Sequence, residues 1–424
     1  MKLLIRNARI IDPASGRDAA GELLLADGKI AALDGEARAA SADRMLDARG
    51  LVLAPGLIDL SARLREPGFE YKATLESEMD AAVAGGVTSL ACPPDTDPPL
   101  DEPGLVDMLR RRAKVLSRAR VYPVGALTVK LGGELLTEMA ELAETGCVAF
   151  SQANVPIADT QVLWRALQYA ASFGLPVWLR AEDLWLARGG VAHDGEVATR
   201  LGLPGIPHFA ETVALGTILE LVRATGARVH VCRLSSAAAV EMMRRAKAEG
   251  LPVSSDVGVH HLHLSDIDLG DFDSHYRLEP PLRSRCDREA LAAGLADGTI
   301  DCVCSDHTPV DEDQKNLPFG EAEPGASGLE LLLPLVLKWG EERRLPLAKT
   351  LARVTSDAAR ILGVAAGRIE TGAPGDVVLF DPQAPWRVTR EALKSQGKNS
   401  PFLGYELAGR VRATVVAGNI VFEQ

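Results

Sequence analysis

The sequence predicts an α/β protein: a (β/α)8 TIM barrel joined to a small β-sandwich domain built from both termini. Three observations carry this expectation. Eight short apolar runs alternate with amphipathic segments through the middle of the 424 residues. Parallel strands need such crossovers, and eight strands close a barrel. The two ends of the chain share a hairpin-rich pattern that the middle lacks. Finally, apolar residues make up 47% and charged residues 25%, enough for one large core and unlike a disordered chain.

Residues 1–53 form the first part of the sandwich. Their β-like runs, 3–5, 22–25 and 29–33, are broken by turns, and Gly28 in Ala-Asp-Gly-Lys marks a hairpin. Residues 54–364 form the barrel. Its strands are expected at 56–60, 87–92, 121–127, 147–150, 177–180, 229–234, 253–257 and 300–304. Helical patterns lie between them, among them 74–84, 105–116, 134–144, 157–173 and 237–248. The interval between the last two strands, 258–286, is long. Segments of that length in a compact domain usually form lids or binding surfaces. Residues 365–424 return to the hairpin pattern with runs at 375–380, 409–416 and 419–422.

Lys and Arg total 46 against 58 Asp and Glu, a formal charge of −12. That balance excludes a protein whose main task is gripping nucleic acid or an anionic membrane. No apolar stretch reaches the roughly 20 residues that span a bilayer. The N-terminal residues turn polar at once, unlike a signal peptide. Six cysteines are too sparse for a disulfide framework, and none forms a Cys-x-x-Cys pair. The expectation is a cytoplasmic, reduced protein.

Chemistry in such a barrel belongs at the C-terminal strand ends. The first strand runs into Gly-Leu-Ile-Asp-Leu-Ser-Ala-Arg-Leu-Arg-Glu-Pro-Gly, 56–68, where alternation places Ser61, Arg63 and Arg65 on one side. Later ends read Pro-Pro-Asp-Thr-Asp-Pro (93–98), Ala-Phe-Ser-Gln-Ala-Asn (149–154), Arg-Ala-Glu-Asp (180–183), His-Val-Cys-Arg-Leu-Ser (230–235) and Ser-Asp-His-Thr-Pro (305–309). Together with Asn-Leu-Pro-Phe from 316 and Gly-Lys-Asn-Ser-Pro-Phe from 397, these segments resemble the dihydroorotase branch of the amidohydrolase superfamily along almost the whole chain.

The resemblance implies where catalytic groups would stand. In that family four histidines, a bridging acid or carbamylated lysine, and an aspartate hold two divalent ions. The matching positions here are Ser61, Arg63, Gln152 or Ala153, Arg180, Arg233 and Asp306, and only Asp306 keeps the family residue. Zinc needs imidazole, thiolate or carboxylate donors, whereas a guanidinium stays protonated and has no lone pair to offer. At about 4 Å and an effective dielectric near 20, each unit-charge repulsion is worth about 4 kcal/mol. The expectation is therefore a site with no metal or cofactor, filled by side chains. Arg65 matches a substrate-carboxylate arginine; Asp95 and Glu279 replace asparagines, and Val310 replaces a histidine. Those acids would repel a dicarboxylate.

Other readings are weighed beside this one. Asp306 could act as a general base, but an ion pair with Arg63, Arg180 or Arg233 is the preferred reading, since buried charges persist when paired. Arg65 is either a relic anion site or a member of the same network. His260, His261 and His263, with His230 or His307, could form a substitute metal site. Cys302 and Cys304 read as barrel packing and Lys130 as isolated. Arg110-Arg111-Arg112 reads as a solvated or partner-facing patch, and Ser61 lacks the elbow of a serine nucleophile. The resemblance implies a catalytically inactive homologue that serves as the structural, non-catalytic subunit of an aspartate carbamoyltransferase complex in de novo pyrimidine biosynthesis. In that picture it binds the catalytic chains and is itself a homodimer. Two alternatives remain: an active cyclic amidohydrolase of dihydroorotase, hydantoinase or allantoinase type with an altered metal site, and an anion- or nucleotide-binding regulatory protein.

Overall fold

The computed structural model describes residues 2–424. The barrel is an eight-stranded parallel sheet: Leu57–Asp59, Val87–Cys92, Arg120–Ala126, Ala149–Ser151, Val177–Arg180, Val229–Cys232, Val253–Gly258 and Cys302–Cys304, neighbours in chain order. The ring is closed beyond the ends of its first and last strands. Ala62 bridges His307, and the Arg63 amide donates to the His307 carbonyl at 2.9 Å. One layer lower, Asp59 of the first strand accepts the Ser305 amide at 2.8 Å. The interior below the mouth is packed by Ile58, Leu60, Ala91, Val124, Ala149, Trp178, Cys302 and Cys304, which places both cysteines in the barrel as the sequence suggested.

The termini form a second eight-stranded sheet, in the order Asn419–Glu423, Glu406–Val416, Val377–Arg387, Val52–Pro55, Leu3–Asp12, Arg17–Ala26, Lys29–Leu33, with Arg44–Asp47 added beside Leu3–Asp12. A bridge from Lys29 to Pro374 brings the far strand back to the start of Val377–Arg387. The layers so formed enclose their own core of Leu3, Ile5, Ile10, Leu23, Leu25, Leu53, Val377, Leu379 and Val415. The chain passes from this sheet to the barrel at Gly56, where a Cβ would lie 2.2 Å from Thr88. Only glycine admits that approach.

Helices follow the local signals. Thr74 caps Leu75–Ala84 through a capping box with Ser77, and Asp159 caps Thr160–Phe173. The second of these begins three residues later than its apolar pattern suggests, because Asp159 offers the cap. The helix expected at 134–144 is confined to Met139–Thr145, after the Gly132-Gly133 turn. The long segment before the last strand holds three short 3-10 turns, Val259–Leu262, Asp266–Leu269 and Ser274–Tyr276, and carries Glu279 over the mouth. Among the described residues no helix is long and apolar enough to cross a membrane.

Candidate functional site at the barrel mouth

Four non-glycine residues at strand ends adopt left-handed backbone conformations: Arg65 (φ 60), Ala153 (φ 51), Arg233 (φ 55) and Asp306 (φ 47). Such conformations are costly for residues with a Cβ and persist where surrounding structure imposes them. Two of them, Arg233 and Asp306, bring their side chains together, Nη1 to Oδ1 at 2.9 Å.

Arg63 and Arg233 converge on Asp306. Arg233 Nη1 donates to Asp306 Oδ1 at 2.9 Å, and Arg63 Nη1 lies 3.4 Å from the same oxygen. Arg63 also donates through Nε to Asp95 Oδ2 at 2.7 Å and through Nη1 to Thr308 Oγ1 at 3.0 Å. The Asn154 Oδ1 accepts from both guanidinium groups, at 3.1 Å from Arg63 and 2.5 Å from Arg233. Arg180 Nη1 donates to Glu182 at 3.0 Å, and its Nη2 donates to Glu279 at 2.7 Å. Each of these three arginine side chains is at most 5% exposed. Three guanidinium groups thus face four carboxylates, those of Asp95, Glu182, Glu279 and Asp306, with Asn154 between two of them.

Burial opposes charge on Arg63 and Arg233, yet Asp95 and Asp306 hold both above the ordinary guanidinium value. Burial likewise opposes charge on Asp95, and Arg63, Arg65 and Arg233 overcome it and keep the carboxyl below its usual range. Arg63, Arg233 and Asp95 are thus each held toward their ionised forms. Ser61 Oγ stands 3.5 Å from Asp306 Oδ1, with no histidine among its hydrogen-bond partners. Arg65 donates to the Pro309 carbonyl at 2.8 Å and approaches Glu323 at 3.5 Å, and Lys72 closes the other side of that carboxylate.

Several expectations change. Gln152 does not join the network: its amide donates to the Leu131 carbonyl at 2.9 Å and pairs with Thr128. Its carbonyl and amino ends match those two neighbours, and this holds it aside from Asp306. Asp95 and Glu279, read as relics of substrate binding, are ion-pair partners of Arg63 and Arg180. The histidines do not converge either. Burial lowers His260 to about 3 and His263 to about 4; His261 donates to the Pro280 carbonyl, and His307 is bound to Glu78. Lys130 is exposed, its amide donating to Asp101 at 2.7 Å.

The donor set at the mouth does not fit a pair of divalent ions, since guanidinium, hydroxyl and amide groups stand where imidazoles would. Among the described residues, His230, Cys232 and Asp256 do bring donor atoms within 4.8 Å of one another. That group lies on the strands beneath the mouth. His230 and Asp256 are bonded to each other at 2.9 Å there, and burial keeps the Cys232 thiol far above its ordinary range. A cavity of about 100 Å³ remains beside Asn154, Arg180, Glu182 and Trp185. Drug-sized ligands occupy roughly 300–1,000 Å³, so this space is too small for a nucleotide.

Comparison with known proteins fits this fold. A model of the amidohydrolase family matches residues 179–422, and a dihydro-orotase-like family model matches residues 50–239. The dihydroorotase-like protein of Pseudomonas aeruginosa is 47% identical over 423 residues, covering 100% of both chains. The chain belongs to the dihydroorotase-like branch of the amidohydrolase family. A dihydroorotase of Syntrophotalea carbinolica is 41% identical over 422 residues, 100% of this chain and 99% of that one. The L-hydantoinase of Arthrobacter aurescens superimposes with a TM-score of 0.88 at 24% identity, covering 99% of this chain and 96% of that one. The dihydropyrimidinase of Brevibacillus agri gives 0.83 at 22%, covering 100% and 95%. At these identities the two structures establish the amidohydrolase fold alone.

Two residues of this dihydroorotase-like mouth went unassigned in the sequence. Asn154 is neutral and follows the motif position by two residues, so nothing in its type signalled that it would bind two arginines. Glu182 sat inside the motif after the fifth strand. Its partner Arg180, two residues earlier, was the available signal, because alternate residues at a strand end share a side.

Proposed function

We propose that this dihydroorotase-like chain has lost dihydroorotase catalysis and serves as a structural, non-catalytic subunit bound to the catalytic chains of aspartate carbamoyltransferase. The observation that carries the first half is the replacement of imidazole donors by Arg63, Arg180 and Arg233, each with a carboxylate partner at 2.7–3.0 Å. Guanidinium cannot ligate a metal, and a mouth occupied by ion pairs leaves a hydroxide nowhere to be generated. Asp306, the one retained family residue, is bound to Arg233 and has no hydroxide to orient. The second half rests on the resemblance and on the intact shell. A chain whose strands, caps and closing bridge remain mutually consistent is selected for folding, and a folded barrel without a working site is suited to assembly. A homodimer and a cytoplasmic location belong to the same proposal.

A second reading has one observation in its favour: a relative of 41% identity is named a dihydroorotase. In that reading the chain is a cyclic amidohydrolase with an altered metal site. One assay separates the two. Ring closure of N-carbamoyl-aspartate, measured with purified protein in zinc or manganese, should stay at the uncatalysed rate; ordinary enzymatic turnover would end the proposal. Co-purification with the transcarbamoylase tests the partnership, and independent migration of the two proteins would argue against it.

A further inference from the structure

The Arg110-Arg111-Arg112 run has no contact with the ion-pair network of the mouth, although Arg112 pairs with the buried Glu66 after the first strand. It lies on the helix Pro103–Leu116, which borders a groove of about 750 Å³ against the C-terminal hairpin. The groove is at the opposite end of the barrel, beside the start of the strand Arg120–Ala126. Five cations line it: Arg110, Arg111, Lys114, Arg118 and Arg120. Three carboxylates answer them. Asp107 pairs with Arg111 at 2.7 Å, Asp80 with Arg118 at 2.6 Å and Asp376 with Arg120 at 2.7 Å. Arg110 donates to the Thr145 carbonyl, and Lys114 has no ion-pair partner among the described residues. A molecule of formal charge −12 thus keeps a locally cationic groove.

The opposite wall is the strand Asn419–Glu423, which ends its sheet. It pairs on one side with Glu406–Val416, and no strand pairs with its other edge among the described residues. Ile420 and Val421 of that edge, with Val121, give the groove apolar surface. An unpaired edge is a template for an added strand, which gains main-chain hydrogen bonds and reads alternate side chains.

We propose that this groove binds an extended, acidic segment of a partner protein. The segment adds to the free edge of Asn419–Glu423, placing alternate apolar side chains on the face that carries Val421, toward Val121. Its carboxylates meet Arg110, Arg111 and Lys114. A small polyphosphate would use the cations but not the strand edge or the apolar surface, and so is the less complete match. This inference is independent of whether the mouth is catalytic.

The test uses the full-length protein and a fluorescein-labelled ten-residue peptide of alternating valine and glutamate, followed by anisotropy. Binding should be saturable and weaken as salt rises, as charge pairing at an exposed site requires. Substituting Arg110→Glu, Arg111→Glu and Lys114→Glu together should weaken it by about tenfold or more while the melting temperature holds. The same peptide N-methylated at alternate amides should lose binding, because it cannot pair with an edge. Hydrogen exchange should slow at 419–423 in the complex. Equal binding of the methylated peptide, indifference to the charge reversal, displacement by tripolyphosphate at equal concentration, or no binding at all would each overturn the proposal.

Discussion

Two buried charge clusters in this molecule solve the same problem in opposite ways. At the mouth, four carboxylates are held by guanidinium groups from three strand ends. At the seam where residues 393–396 dock on the barrel, no guanidinium is present. Glu78 is fully buried and accepts from His307, Ser395 Oγ at 2.7 Å and the Gln396 amide at 2.9 Å. Glu330 accepts the Lys394 and Ser395 amides at 2.6 and 3.2 Å. Backbone N–H groups also favour a carboxylate's charged form, but at Glu330 they do not overcome the cost of burial. At the mouth, Arg63, Arg233 and Asp95 are held toward their charged forms. At the seam, burial pushes Glu330 toward its neutral form, while His307 keeps Glu78 below the usual carboxylate range.

The largest effect should come from removing the centre of the network at the mouth. Asp306→Ala leaves Arg63 and Arg233 buried and facing each other, at a cost of about 3–5 kcal/mol by the general behaviour of broken buried pairs. Denaturant unfolding measures this; a loss below 1 kcal/mol, on the order of a solvated pair, would show the mouth to be wet and loosely held.

The seam should produce the next largest effect, through pH. Burial raises Glu330 from an ordinary 4.5 to about 7, so the fold favours its neutral form. Its stabilising contribution is complete below about pH 4.5 and is lost as pH rises through about 7, a change of about 3 kcal/mol. Glu330→Gln should flatten the stability profile across that window. An unchanged slope would place the titration elsewhere.

Arg65→Lys should be milder. It keeps the charge near Glu323 but loses the fixed donor to the Pro309 carbonyl, costing about 1 kcal/mol in the same unfolding measurement. Ser61→Ala should be smallest, within about 0.5 kcal/mol, because Ser61 reaches Asp306 only at 3.5 Å. A large loss on this substitution would give the hydroxyl a role that its geometry does not provide.

The comparison also explains what the sequence could disclose. The eight barrel strands were legible because buried parallel strands are continuous apolar runs, and the arginines were legible because each stood in a motif. The network's other half was harder to read. Asp95 looked like a substrate neighbour, since sequence gives no sign that it reaches Arg63, 32 residues away. Gln152 occupied the right strand end but turned to Thr128, a choice made by amide complementarity. Glu323 lies 258 residues from Arg65, and the Glu78–His307 pair spans 229 residues; only tertiary closure brings such partners together. Charge type was visible in the chain, but the pairing depended on the barrel's curvature.

The central claim is that guanidinium–carboxylate pairs occupy the place where the family binds two ions. Crystals grown in zinc and measured at the zinc absorption edge test it most directly. The account predicts no anomalous peak among Ser61, Arg63, Arg180, Arg233 and Asp306, with the three arginines still on their carboxylates. A pair of strong peaks there, with the arginines swung away, would contradict it.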